Sequence, residues 1–245
     1  MIKVEFLKQR KRVWWFVFVF PIILNVLLYI DLTFRYRGYL LVHQNELALT
    51  NWQLIFKEQT VFYFSELYYL ILSLIIYEVF AVEFENNAWL TLISSPFRNK
   101  YTINSKMLIT VAYTFIFWVS DYISLYVTGK AIDSSLEISL IFFLKTFTIQ
   151  FVSSLMIILT YFLILLLIRK VSGMIATGIL IMILTISIYY NNYNFEIYLP
   201  FTYLSHAFRV TENQFYMILL ANIMLIFVFY LFIQRLNKRS FEMKL

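Results

Sequence analysis

Cysteine is absent from the chain, which excludes disulfides and thiolate metal centres. Histidine occurs only at His43 and His206, far apart and both in predicted external loops, so no pair stands at metal-ligand spacing. Glycine is confined to Gly38, Gly129, Gly173 and Gly178, and no G-x-x-x-x-G-K-S/T phosphate loop can be written with them. Any use of ATP therefore requires another chain. Charge is scarce as well, at 14% of residues. What fills the sequence is apolar: 62%, against roughly 45–50% in an ordinary soluble domain. Mean hydropathy is +0.76. A soluble protein of 245 residues cannot bury that much apolar surface in one core. The composition predicts an all-α integral membrane protein, with residues 1–245 forming one membrane domain.

A helix crosses about 30 Å of hydrocarbon with about 20 mostly apolar residues. Six stretches qualify, near 13–30, 60–82, 107–128, 140–168, 171–190 and 215–233. The fourth and fifth are parted only by a short turn near "RKVSG". The basic start, "KQRKRVWWFVFVF", is followed by no small-residue cleavage site, so the first stretch reads as an uncleaved span. Lys and Arg are distributed unevenly. Residues 1–12 carry five, 83–106 three, 169–173 two and 235–245 four; the opposite side carries Arg35, Arg37, Lys57, Lys130 and Arg209. The positive-inside rule then places both termini and residues 83–106 in the cytoplasm. The net charge of +6 is this orientation signal and does not call for a nucleic-acid partner. The external face holds a loop at 31–59 and another at 191–214, whose "EIYLPFTYLSHAFRV" predicts a segment dipping into the outer interface.

The cytoplasmic connection "EFENNAWLTLISSPFRNKYTINSK" is more decorated than a plain loop. On a helix, Phe84, Ala88, Trp89, Leu92 and Ile93 form one apolar stripe. Glu83 and Glu85 fall in the first turn, where the helix dipole favours anions. Pro96 stops the helix, and Arg98 and Lys100 follow. The pattern predicts a short amphipathic helix on the inner membrane face, with Trp89 as anchor and the acids toward the cytosol. It fits a helix that only seats the loop on lipid and, equally, a docking helix for a cytosolic partner.

The order acid-x-acid, short helix with Trp, then Ser-Pro-x-Arg and a Lys at the next span resembles the permeases of ABC type-two exporters. In that family the segment is the coupling helix seated on the ATP-binding subunit. The basic N-terminus "MIKVEFLKQRKRVWW" resembles the family's membrane-surface helix, and "YLPFTY" its external re-entrant region before span six. The resemblance covers nearly the whole chain; it departs at Asn86 and Asn87, where many members have a glycine after the acids. It implies six transmembrane helices, an N-terminal interfacial helix, a cytoplasmic coupling helix between spans two and three, and a re-entrant segment with Pro200, Phe201 and Tyr203. Glu83, Glu85, Trp89, Pro96 and Arg98 would couple to the ATPase. Catalysis and cofactors would lie elsewhere: this chain binds none, and ATP and Mg sit on the partner ATPase. The implied partners are that ATPase, a second permease (identical or a sister subunit), membrane lipids and a peptide substrate. A permease this short is similar to subunits of exporters for lantibiotic self-immunity and amphipathic toxin peptides, and its richness in Phe, Ile, Tyr and Asn suits an AT-rich Gram-positive genome.

Four charged residues, Glu66, Glu78, Asp121 and Lys145, fall inside predicted spans. A charge near the bilayer centre costs roughly 2.5–3.5 kcal/mol on insertion scales. At about 1.5 Å per residue, Glu66, Asp121 and Lys145 all lie in the outer third, so one acid is expected to pair with Lys145. The cluster reads either as a structural ion pair snorkelling to headgroups or as a polar gate near the outer mouth. Asn25, Gln150 and Asn222 read as helix-to-helix hydrogen bonders. Two other classes compete. An intramembrane enzyme needs Ser/His, paired Asp or a His/Glu metal set on spans, and Asp121 is the only Asp there. An ATP-independent transporter or channel needs broken helices at mid-membrane, and the spans hold only Pro21, Gly173 and Gly178 as breakers.

Overall fold

The structure is a computed structural model that describes residues 2–35, 50–85, 96–133, 136–137, 139–168, 171–191 and 199–242. Among these residues there is helix and no strand. Hydrocarbon offers the backbone no hydrogen-bond partners, so apolar runs of this length close their polar groups internally as helices. In chain order the elements are α1 (Ile2–Leu7), α2 (Phe20–Ile30), α3 (Asn51–Val61), α4 (Phe64–Glu85), α5 (Pro96–Ile132), α6 (Leu140–Ile168), α7 (Val171–Asn191), α8 (Tyr203–His206) and α9 (Glu212–Glu242). Helix α2 is extended at both ends by π-helical turns, Trp15–Val19 and Asp31–Arg35.

Five segments are long and apolar enough to cross a membrane: Trp15–Phe34, Phe64–Glu83, Tyr101–Ile132, Leu140–Ile168 and Glu212–Leu236. A shorter apolar helix, Ser172–Ile188, lies within α7. Helix α4 is the most enclosed of the five and α9 the least. Helix α7 lies along α4, α2 along α5, and α9 along α6, while α5 and α6 also pack together. Aromatic side chains fill the centre. Phe64 and Tyr68 on α4 meet Phe117 and Trp118 on α5, and the Trp118 indole donates to Ser154 Oγ on α6 at 2.8 Å.

Two spans differ from their predicted form. The span expected at 60–82 breaks near its N-terminal end: α3 stops at Val61, Tyr63 takes a left-handed φ of 55°, and α4 starts at Phe64. The span expected at 107–128 belongs to a 37-residue helix that begins at Pro96. Proline suits a first helical position because the missing N–H has no partner there.

The predicted external loops also fold inward. Thr50 and Gln53 form a reciprocal capping box that starts α3. Trp52, Leu54, Ile55 and Phe56 are then buried. The Trp52 indole donates to the Glu137 carbonyl at 2.8 Å and its ring lies against Gly129 of α5. A Cβ at Gly129 would stand 2.4 Å from that ring, so the close approach needs glycine. In the last connection, α8 sits between two 3-10 turns, Pro200–Thr202 and Ala207–Arg209, and packs on α4 and α6.

Candidate functional site

Four charged side chains meet at the predicted cytoplasmic end. Lys106 on α5 is 1% exposed. Its ammonium lies 2.9 Å from Glu83 Oε2 on α4 and 3.0 Å from Glu5 Oε2 on α1, and donates to the Val79 carbonyl at 2.6 Å. Lys8 pairs with Glu5 at 2.7 Å and stands 3.8 Å from Glu83. Two carboxylates and two ammonium groups thus balance in a largely dry site. An unpaired buried charge is severely unfavourable, and a matched set avoids that cost. Burial pushes the Glu5 carboxyl up, but Lys8 and Lys106 outweigh it and hold its pKa below the ordinary value. The knot ties α1 to the end of α4 and to α5. It therefore clamps the end of α4, from which the connection 86–95 departs, to α5.

Glu83 departs from its expected place. It is 4% exposed and turned into the bundle, because α4 stays helical through Glu85 and brings Glu83 onto α5, where buried Lys106 needs an anion. Glu85 is the last residue of α4, Pro96 the first of α5, and Arg98 lies in the first turn of α5. Trp89 and the rest of the predicted amphipathic helix from 86 to 95 lie outside the described residues.

The outer cluster expected from Glu66, Asp121 and Lys145 is three separate sites. Lys145 pairs with Glu212, in the first turn of α9, and with neither intramembrane acid. The pair is partly exposed, and Glu212 lies beyond the predicted span, so span hydropathy alone could not reveal it. Asp121 Oδ1 instead accepts from Asn25 Nδ2 on α2 at 2.8 Å and from Gln59 Nε2 on α3 at 2.9 Å. Glu66 Oε1 accepts from Ser205 Oγ on α8 at 2.7 Å. Both acids are fully buried, and neither forms an ion pair among the described residues. Asp121 Oδ2 and Glu66 Oε2 have no hydrogen-bond partner there either.

The segment around Pro200, Phe201 and Tyr203 is held by side chains from two helices. Tyr69 donates to the Phe201 carbonyl. The Leu204 carbonyl accepts from Ser65 Oγ and from Gln150 Nε2, each at 3.3 Å. Tyr203 is 4% exposed and packs with Ile149, Ala207 and Ile218. Polar residues inside apolar runs were the sequence signal for these bonds. Gln150 and Asn25 bond across helices, and Asn222 Nδ2 donates to Ser153 Oγ at 3.1 Å. The sequence marks Lys106 only as the Lys that opens the next span and gives no sign of Glu5, Gln59 or Ser205, since each faces a partner distant in sequence.

These helices define a multi-pass membrane protein by length and composition. Comparison with family models, with curated proteins and with solved structures finds no match.

Proposed function

We propose that the chain is the permease subunit of an ATP-binding cassette exporter, driven by a separate ATPase and moving amphipathic or hydrophobic peptides outward. The observation that carries this reading is the Glu5–Lys8–Glu83–Lys106 knot. It fastens the end of α4 to α1 and to α5, which it meets at Lys106, ten residues past the start of that helix at Pro96. A force on that connection is then delivered to two spanning helices and to α1 together. On this reading α7 completes six spans with both termini inside, the 86–95 connection carries the coupling helix, and the 200–209 segment is re-entrant from outside. Glu85 keeps the docking role and Trp89 the anchoring role, and Glu83 transmits from within. Two ATPases need two permease halves, so the chain pairs with a second copy or a sister subunit.

The test is reconstitution of the chain with the ATPase that accompanies it. ATPase activity should rise in the presence of the permease and fall to the uncoupled level in Glu85→Ala and Trp89→Ala, with the protein still folded. Coupled activity unchanged in both variants removes the assignment.

A further inference from the structure

A groove of about 460 Å³ opens between α2 and α5 at the level of Asp121. That volume is within the roughly 300–1,000 Å³ usual for ligand pockets. Its walls are apolar, with Phe18, Ile22, Val26 and Ile123. Its small polar floor is Asn25, Ser120, Ser124 and Thr128. At Asn25, Ser124 and Thr128 the hydrogen-bond polarity is one-sided. Ser124 Oγ donates to the Asp121 carbonyl at 2.9 Å, and Thr128 Oγ1 donates to the Asn25 carbonyl at 3.2 Å. Asn25 Nδ2 is used on Asp121 Oδ1 and Ser124 Oγ, both at 2.8 Å, and on the Pro21 carbonyl at 3.0 Å. The protons of Asn25, Ser124 and Thr128 therefore point into the protein, and lone pairs remain on Ser124 Oγ, Thr128 Oγ1 and Asn25 Oδ1, the last of which also accepts from Gln59 Nε2 at 3.5 Å. Behind them stands the Asp121 carboxyl, with one oxygen unbonded and no basic side chain paired to it among the described residues.

We infer that this groove receives an ammonium group of a cationic amphipathic peptide. The charge of the occupant follows from the site. Acceptors backed by an acid in a dry setting favour a positively charged donor. A second groove of about 430 Å³, lined by Tyr122, Tyr126, Phe143 and Phe147 among others, shares Val119 and Ile123 with the first. A peptide lying across both places its apolar face on the aromatic wall and its cation on the floor. A zwitterionic lipid headgroup fits less well, because its phosphate has no basic residue in either lining. The inference rests on the peptide-exporter reading for its ligand class, but its test involves neither ATPase nor nucleotide.

The full chain in phosphatidylcholine nanodiscs is titrated with a short fluorescent leucine/lysine helical peptide, with empty discs as blank. Saturable binding is expected, weakened about tenfold or more by Asp121→Asn and by replacing the peptide's lysines with glutamine. Equal affinity in either comparison overturns the site. If Asp121→Asn lowers the unfolding midpoint, Ile123→Trp decides instead: it fills the groove without touching the Asp121 bonds, and should abolish saturable binding. Unchanged binding there overturns the site, and competition of the peptide by phosphatidylethanolamine-containing discs assigns the groove to lipid and overturns the peptide. Loss of the ATPase association with binding intact removes only the exporter reading.

Discussion

Among the described residues Lys106 is the only buried cation, and it holds two acids at once. Replacing it with methionine leaves Glu5 and Glu83 facing each other without their shared cation. Loss of one partner of a buried pair costs about 3–5 kcal/mol, so Lys106→Met should lower unfolding stability in detergent by that order. Adding Glu83→Gln should restore part of the loss; a double variant as unstable as the sum of both singles argues against coupling. Glu5 adds a pH dependence of known sign. Its pKa is lowered on folding, so its contribution is present above the ordinary carboxylate range and is lost as pH falls through the lowered value. Midpoints measured along an acid series should fall less steeply in Glu5→Gln than in the parent.

Among the elements, α3 was the least legible in the sequence. The stretch "NWQLIFKEQTV" carries Lys57, Glu58 and Gln59 and has no hydropathy of a span, yet its Trp52 face is buried. Its burial is fixed by Gly129 and Glu137, more than seventy residues away. The long apolar spans were legible because length and hydropathy are local properties. Partner choice is not: nothing near Lys145 in sequence points to Glu212, and nothing near Glu83 announces Lys106. The α4–α5 turn was half legible, since Pro96 marked a boundary but opened a helix that runs into the span. Gly129→Ala tests the packing of α3. Its Cβ would overlap the Trp52 ring, and overpacking of this kind costs about 1–3 kcal/mol. A lowered thermal midpoint with Trp52 fluorescence shifted toward that of exposed indole is expected.

At the scale of the whole molecule, the fold places a balanced ionic knot at one end and, at the other, two inserted segments that donate to the buried acids Asp121 and Glu66 of the spans. The absence of cysteine makes the orientation open to direct labelling. Ser94→Cys should react with an impermeant maleimide only after the membrane is opened, and Ser134→Cys should react in intact cells. The reverse pattern would invert the topology and remove the cytoplasmic knot. The central claim is that the energy source is another chain acting on the connection between α4 and α5. Purification from native membranes in mild detergent tests it most directly. The account predicts that an ATP-binding protein is retained with the parent chain and lost with Glu85→Ala. An intact, transport-active chain that purifies with no ATP-binding partner contradicts it.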